Sequence, residues 1–500
     1  MSNRAFTVAA VLLLATLLVS ACAPAAVPTA PPAVVQTVVV KQETIKEVPV
    51  TVAVPVTVEV PGAKEVVVAT PTVAPTKITA WFFGSEDQKL PDGTPIGQWW
   101  RDNVVKPFMA ENPGIEVDFA MKGAEAGGTT LFVDTAFAAG QPPDVYMDSL
   151  FRMSKYGQKD ALLPLNPILP PEKRELIDPQ ALMAATKNGI TWAILTDNSF
   201  PDALIVNRAV FKAKGAEDLL PKGPDRDWTT EEFEKACQAV NDPPNNYCAF
   251  FFAKTPSYDH AMFCWLAPYG AKRFDPGVYT KVTDNSPEAI AGHKWIKSML
   301  DSKMAVPGPA GLVDDDMDAY LLGGKTTIGS GGWYEQGLVQ AGQKDGSLKV
   351  EWDPYMVNYP HPADKAPGPM CNLGGRGWSA FKTGNHANEA AALKFIDYVT
   401  NADLNIKAQT AAGGGLAGIP LITPKGWDPK TLYGDNEDWN WIIRMAKERG
   451  TLDMGYTAPN FNEIRAKWAE MRQAAWSGDM TVEAASAEWE KKANEILNRK

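Results

Sequence analysis

From Lys77 onward the chain alternates short apolar strands with helices, and this order constrains the fold more than any other feature of the sequence. Strands are predicted at 78–83, 115–119 and 144–147, with helices near 97–111 and 129–139 between them. A β-α-β-α-β order packs parallel strands into a sheet that helices cover, so an α/β fold is expected. Ligands of such sheets bind beyond the carboxyl ends of the strands, which makes the loops after Phe83 and Met147 candidates for a site.

A second α/β region begins near Ser199. A threonine N-cap and acidic residues predict a helix over 230–240, and a further strand is predicted over 326–330. The last predicted helix starts at Thr481 and has one apolar face, because its apolar residues recur at three- and four-residue steps. With 500 residues, the chain is expected to form at least two lobes.

The first residues predict a signal peptide over 1–21. Arg4 supplies a positive charge, and an apolar run over 5–19 is short for a membrane span. The run ends in Val19-Ser20-Ala21-Cys22, which looks like a bacterial lipobox, so we expect Cys22 to be lipidated and to begin the mature chain. The alternative is an ordinary signal peptide followed by a cysteine that occurs there by chance.

Residues 22–76 are predicted to be the lipidated cysteine followed by a tether. The stretch is rich in proline and valine, and Val48-Pro49-Val50-Thr51-Val52 is echoed by Val54-Pro55-Val56-Thr57-Val58. Repeated proline removes backbone donors and favours an extended spacer. The alternative is a β-stalk that associates with copies of itself.

The charge and the cysteines narrow the function classes. A net charge of −11 disfavours sequence-independent binding of nucleic acid. Apart from Cys22 there are four cysteines, an even number that suggests disulfides in an exported protein. Three connectivities are possible, of which Cys237–Cys248 is the first choice and Cys264–Cys371 would follow. No metal site is expected, because there is no CxxC motif and the four histidines form no ligand-spaced pair.

One stretch, "IGSGGWYEQG" (328–337), combines glycines with two adjacent aromatics. Glycines permit close approach and expose backbone N–H groups at a helix start, so Trp333 is predicted to stack on a ligand. Packing against the core is the alternative for Trp333, and for Tyr334 the two readings are equally supported.

Five segments together resemble a known family, the extracellular solute-binding proteins of ABC importers, and within it the maltose-binding-protein-like, carbohydrate-binding group. The resemblance covers roughly residues 77–420, although Val206 stands where the family commonly has a tyrosine before Asn207. The matching segments are "PFMAENPGIEVDF" (107–119), "AAGQPPDVYMDS" (138–149), "WTTEEFEKA" (228–236), "AYLLGGKTTIGSGGWYEQG" (319–337) and "NEAAALKFIDYVTN" (388–401).

The resemblance implies a two-lobe, class II periplasmic-binding-protein-like fold with a central cleft and hinge strands. Lobe one is expected at 77–195 together with 313–362, and lobe two at 196–312 together with 363–500. The resemblance also implies a monomeric lipoprotein on the extracytoplasmic face of the cell membrane. It would need no cofactor, capture a sugar-like molecule and pass it to ABC permease subunits by hinge closure.

Sugars present apolar faces and a rim of hydroxyls, so aromatic rings and planar polar groups are the candidate ligands. Trp81 and Phe83 share one face of their strand, and Phe82 takes the other. The expected binding residues are Trp333, Tyr334, Trp81, Phe83, Glu86, Asp148, Asp197, Trp378, Arg376, Gly375 and Gly414.

Two alternatives remain open. The same fold binds other solutes in other proteins, such as a polyol phosphate, a peptide or a metal chelate. An anchored glycoside hydrolase would need two carboxylates about 5–10 Å apart, which a sequence does not reveal. GxSxG, HExxH and Walker A motifs are absent from the sequence, so no enzyme is expected.

Overall fold

The structure is a computed structural model, and it describes most of the chain beyond the predicted tether. The described residues are 74–123, 131–198, 202–256, 258–275, 279–331, 333–370, 375–412 and 418–499, without the side chains of residues 333 and 334. The predicted signal peptide, Cys22 and nearly all of the tether lie outside them. Within this part, no helix is long and apolar enough to cross a lipid bilayer.

The strands of the described residues fall into two main sheets and a small hairpin. In chain order they are β1 (Thr76–Phe83), β2 (Ile115–Lys122), β3 (Val145–Ser149), β4 (Thr186–Lys187), β5 (Ile190–Thr191), β6 (Ile194–Asn198), β7 (Leu204–Asn207), β8 (Tyr247–Ala249), β9 (Thr326–Ser330), β10 (Pro354–Val357), β11 (Gly375–Ala380) and β12 (Ile419–Pro420). The first sheet has the spatial order β12-β6-β11-β3-β1-β2, the second β10-β7-β9-β8, and β4 pairs with β5.

Helices cover the two sheets. In chain order they are α1 (Ile96–Trp100), α2 (Lys106–Glu111), α3 (Leu131–Ala138), α4 (Leu150–Gln158), α5 (Pro171–Arg174), α6 (Pro179–Ala184), α7 (Arg208–Ala213), α8 (Thr230–Val240), α9 (Asp259–Cys264), α10 (Pro287–Asp301), α11 (Asp314–Leu322), α12 (Trp333–Asp345), α13 (His386–Val399), α14 (Ala402–Ala412), α15 (Lys430–Tyr433), α16 (Glu437–Arg449), α17 (Phe461–Ser477) and α18 (Val482–Leu497). A π-helical turn, Arg101–Val105, joins α1 to α2. Short 3-10 turns lie at Asn166–Ile168, Glu217–Leu219, Ala267–Tyr269 and Pro309–Gly311.

Local sequence determines where several elements begin. The Thr229 side chain accepts a hydrogen bond from the Glu232 backbone, and the Glu232 carboxylate accepts one from the Thr229 backbone. This reciprocal capping box starts α8 at Thr230, which confirms the predicted helix 230–240. The strand predicted over 326–330 is likewise confirmed as β9.

The division of the chain between the lobes differs from the prediction. Residues 313–362 were expected in lobe one, but β9 and β10 both pair with β7 in the second sheet. Residues 363–420 were expected in lobe two, but β11 pairs with β3 and β6 in the first sheet. The prediction is wrong here because all five residues of β9 are buried, and burial alone does not tell which sheet a strand joins.

The chain therefore passes between the sheets three times. It crosses between β6 and β7, again between β10 and β11, and finally between β12 and α16. The helix α17 packs on lobe two, since the Trp468 indole donates to Asp284 at 2.6 Å and Arg472 to the Phe252 carbonyl at 3.3 Å.

Each lobe has an aromatic core. In the first, Phe82 packs against Trp100 and Trp378 at ring distances of 4.9 and 5.7 Å. In the second, Phe233 meets Trp228 and Trp265 at 4.9 and 5.5 Å.

A disulfide joins Cys237 of α8 to Cys248 of β8, with their Cα atoms 5.1 Å apart. It ties a helix to the neighbouring edge strand of the second sheet. Cys264 is buried in α9, and its predicted partner Cys371 lies outside the described residues.

A buried carboxylate organises the second lobe. Asp259 is fully buried at the start of α9 and accepts from Arg273 at 2.7 Å and from Arg465 at 2.6 Å. Burial alone would raise the pKa of Asp259, but the charges of Arg465 and Arg273 outweigh it and hold that pKa well below its usual range.

We predict that Asp259→Asn lowers the free energy of unfolding by about 3–5 kcal/mol, because both guanidinium groups lose their charged partner. The native pKa is depressed, so Asp259 stabilises the fold above its unfolded pKa of about 3.9 and loses that effect as pH falls further. Urea unfolding at neutral and acidic pH measures both effects. The variant should lose less stability on acidification than the natural chain. An equal loss in the two proteins would contradict the assignment.

Candidate functional site

Parallel pairing brings several predicted residues to one edge of the first sheet. β1 runs parallel to β2 and β3, and β11 runs antiparallel to both β3 and β6. The carboxyl ends of β1, β3 and β6 therefore meet the amino end of β11. Because Arg376 pairs with Ser149 on one side and Asp197 on the other, the loops that follow these strands share one surface.

An arginine that the sequence analysis did not select lies at this edge. Arg152, in the first turn of α4, donates to Asp148 at 3.1 Å, and its guanidinium lies 4.4 Å from the centroid of the Phe83 ring. Asp148 is fully buried and also accepts from the Tyr146 hydroxyl and, at 2.6 Å, from the Ser149 backbone. Burial raises the pKa of Asp148, and Arg152 counteracts this effect. The sequence does hold a signal for Arg152, because this residue lies in the first helical turn after the strand that ends at Ser149.

A second arginine–carboxylate pair stands nearby. Arg376 donates to Asp197 at 3.0 Å, and Asp197 is 1% exposed. Both side chains line a cavity of about 200 Å³ that Phe83 and Gly84 also border. On the far side of the cavity lies α14, which contributes Gln409.

The remaining predicted residues of this lobe have mixed roles. Trp81 shares the half-buried face with Phe83, but its ring packs on Phe132 at 5.9 Å. Glu86 is paired with Arg101 at 2.6 Å and accepts from the Met121 backbone at 3.1 Å, so protein groups occupy it.

Two further predictions need correction. Trp378 is 1% exposed and packs between Phe82 and Phe395, so its ring belongs to the core beneath the cavity and not to its rim. A Cβ on Gly375 would come within 2.7 Å of Leu195, so this glycine accommodates packing inside the sheet and not a ligand. Gly414 lies outside the described residues.

The second sheet presents a matching edge. Ser330 ends β9 and Gly331 follows it, Asp202 precedes β7, and Tyr258 precedes α9. The Tyr258 hydroxyl donates to Glu335 at 3.1 Å. Trp333 and Tyr334 begin α12 beside these groups, but their side chains lie outside the described part of the structure.

Gly331 has a defined reason to be glycine. Its φ is +105°, and a Cβ there would lie 2.2 Å from the Tyr258 hydroxyl and 2.5 Å from a Glu335 oxygen. At Gly329, an added Cβ would lie 2.5 Å from the Leu321 side chain. The glycines of the 328–337 stretch were expected to let a ligand approach the backbone closely. At these two positions, the groups that approach are protein side chains.

The two edges face each other through a chain of side chains. Phe151, adjacent to Arg152, packs against Tyr456 at 5.8 Å and lies 5.0 Å below the guanidinium of Arg465. Arg465 is bonded to Asp259, which opens α9 at the edge of the second sheet. These contacts join the first lobe to the second next to both strand edges. No group of three or more His, Cys, Asp or Glu side chains in the described ranges could hold a metal ion.

We predict that Gly331→Ala destabilises the protein more than Gly346→Ala. Both positions have positive φ, but an added Cβ at Gly346 meets no atom within 4 Å. The control should cost about 1–2 kcal/mol for backbone strain alone. Gly331→Ala should cost at least about 1 kcal/mol more because Tyr258 or Glu335 must move. Chemical denaturation of both variants gives the comparison, and equal losses would contradict the close packing at Gly331.

Comparisons with known proteins agree with this architecture. A family model described as bacterial extracellular solute-binding protein matches residues 91–406. No curated protein sequence matches the chain.

Solved structures share the fold at low sequence identity. An ABC transporter solute-binding protein from Thermotoga lettingae TMO, bound with alpha-D-tagatose, is 21% identical with a TM-score of 0.65, and the match covers 85% of this chain and 100% of that one. The GacH receptor of Streptomyces glaucescens GLA.O, solved with acarbose, is 17% identical with a TM-score of 0.64 over 85% and 100%. UgpB from Mycobacterium tuberculosis, in complex with glycerophosphocholine, is 16% identical with a TM-score of 0.64 over 85% and 99%. Because the family match takes in strands of both sheets and more than half of the residues, the chain belongs to the bacterial extracellular solute-binding proteins.

Proposed function

We propose that this protein captures a carbohydrate outside the cytoplasm and delivers it to an ABC importer. The ligand enters the cleft between the two sheets, and the lobes close over it. Closure follows from tighter binding to the closed form than to the open form. The closed, loaded protein is what the permease subunits of the importer recognise.

The observation that carries the proposal is the pair of arginine–carboxylate contacts beside Phe83. Arg152 with Asp148, and Arg376 with Asp197, set donors next to acceptors along one edge. The two carboxylates are buried and hold the partly exposed guanidinium groups in place, and these groups can donate to the oxygens of a sugar. The Phe83 ring lines the cavity beside Arg376 and supplies an apolar surface for the C–H face of a sugar ring.

The same contacts argue against an anionic solute at this edge. A phosphate would need guanidinium groups without carboxylate partners, and both arginines here already have one. UgpB, which has the same fold, binds glycerophosphocholine, so a non-sugar solute remains the competing proposal.

The remaining parts of the proposal come from the sequence. A lipid on Cys22 and the tether over 22–76 would hold a monomeric protein at the membrane and keep it near its permease at high effective concentration. The protein would act by binding alone, with neither hydrolysis nor a cofactor.

We predict that mono- and oligosaccharides quench or enhance the tryptophan fluorescence of the protein in a saturable way. Isothermal titration with the responding sugar should give a single site, and analysis of the mixture should find the sugar unchanged. A response to peptides or phosphorylated polyols alone would contradict a carbohydrate ligand. Release of a cleavage product would contradict a function in binding alone.

We predict that Phe83→Leu weakens sugar binding by about 1–3 kcal/mol, the range for loss of an aromatic hot spot, with little change in unfolding free energy. Phe83→Tyr keeps the ring and should bind within a few-fold of the natural protein. Titration of both variants with the same sugar measures the difference. Equal affinity of the leucine variant and the natural protein would remove Phe83 from the site.

A further inference from the structure

Three carboxylates gather at the cleft edge of the second sheet. Asp202 lies two residues before β7, Glu335 lies in the first turn of α12, and Asp318 lies in α11. Glu335 is 2% exposed and Asp202 is 1% exposed, so both have given up nearly all contact with water. Buried carboxylates need partners, because removing a charge from water is costly.

The partners within the protein are incomplete. Glu335 accepts from Tyr258 through one oxygen, and Asp202 contacts the Nδ1 atom of His260 at 2.6 Å through one oxygen. The other oxygen of each, Oε2 of Glu335 and Oδ1 of Asp202, is buried and has no hydrogen-bond partner in the described part of the chain. Oδ1 of Asp318 is likewise buried without a hydrogen-bond partner among the described residues. This Glu335 oxygen would lie 2.5 Å from a Cβ added to Gly331, the residue that follows β9.

The charge in this cluster is also unbalanced. Over the described ranges, neither Glu335 nor Asp318 forms a salt bridge, and that of Asp202 is with His260 alone. Burial, followed by the charges of Asp318 and Asp202, raises the pKa of Glu335 well above its usual range. Burial and the neighbouring Asp315 and Asp314 raise the pKa of Asp318 to about 7. The cluster therefore has the electrostatics of a site that is short of one positive charge.

We infer that the Glu335, Asp202 and Asp318 cluster receives a protonated amine of the ligand, so that the captured carbohydrate is an amino sugar or another basic saccharide. The inference rests on the proposed function and names its substrate class. An ammonium group has three donors and one positive charge, which matches carboxylate oxygens that lack partners. The arginine–carboxylate edge of the first sheet then holds the hydroxyls of the same ligand. A metal ion is a poorer match, since these side chains do not form a metal-ligand group within the described residues.

Matched sugar pairs test the inference directly. Glucosamine differs from glucose, and galactosamine from galactose, only by an ammonium in place of a hydroxyl, and chitosan disaccharide differs from cellobiose by two such replacements. Titration calorimetry of the full chain in near-neutral buffer, where most of the amine is protonated, should give at least about tenfold tighter binding for one amino sugar than for its neutral partner. Tenfold is the low end of what a hydrogen bond to a charged group contributes.

The variant Glu335→Gln retains an acceptor for Tyr258 but removes the carboxylate charge, so it should bring the two members of the pair to within about threefold of each other. Glu172→Gln makes the same charge change at an exposed position of lobe one and should keep the preference. A thermal melt shows whether each variant is folded. Comparison of the sugar pairs on the natural protein needs no variant.

The outcomes separate the inference from the function on which it rests. Equal affinity for both members of every pair would overturn the inference and leave carbohydrate capture intact, with Glu335 then a protonated hydrogen-bonding group. A preference that survives Glu335→Gln would also overturn it. Failure of every sugar to bind would overturn the proposed function itself.

Discussion

The arrangement of the cleft depends on the buried ion pairs that Asp259 forms with two arginines. Its carboxylate is buried between Arg273 and Arg465, and Arg465 in turn covers the ring of Phe151 in the other lobe. Phe151 is the neighbour of Arg152, which holds Asp148 and stacks on Phe83. One buried charge thus anchors a series of contacts that runs from the core of the second lobe to the proposed ligand edge of the first. A second contact between the lobes, from Gln158 to the carbonyls of Thr457 and Ala458 at 2.9 Å, runs beside it.

The two edges of the cleft have different chemistry. The first sheet offers paired donors and acceptors, in which each arginine is balanced by a carboxylate. The second offers carboxylates beside Tyr258 and His260, without arginine or lysine partners among the described residues. A ligand held between them would meet a neutral hydrogen-bonding surface on one side and an acidic one on the other. In the proposed function, this asymmetry would orient the ligand as well as select it.

The sequence was informative about local structure and less so about long-range pairing. Apolar alternation and the Thr229 cap located β1, β9 and α8, because these signals act within a few residues. The assignment of β9 and β11 to their sheets depends on partners more than 70 residues away, which periodicity does not encode. In the same way, Asp148 and Arg376 could be selected as polar groups near strand ends. The burial of Trp378, the stacking of Arg152 and the unpartnered oxygen of Glu335 arise only from tertiary packing.

The position of β11 in the first sheet has a consequence for how the protein is made. This strand, formed by residues 375–380, separates β3 from β6, so the centre of the first sheet is missing until three quarters of the chain has been synthesised. Contacts between residues so distant in sequence form slowly. We expect a nascent chain with an incomplete sheet to remain unfolded long enough to be threaded through a secretion channel. The disulfide between Cys237 and Cys248 then forms in the oxidising space beyond it.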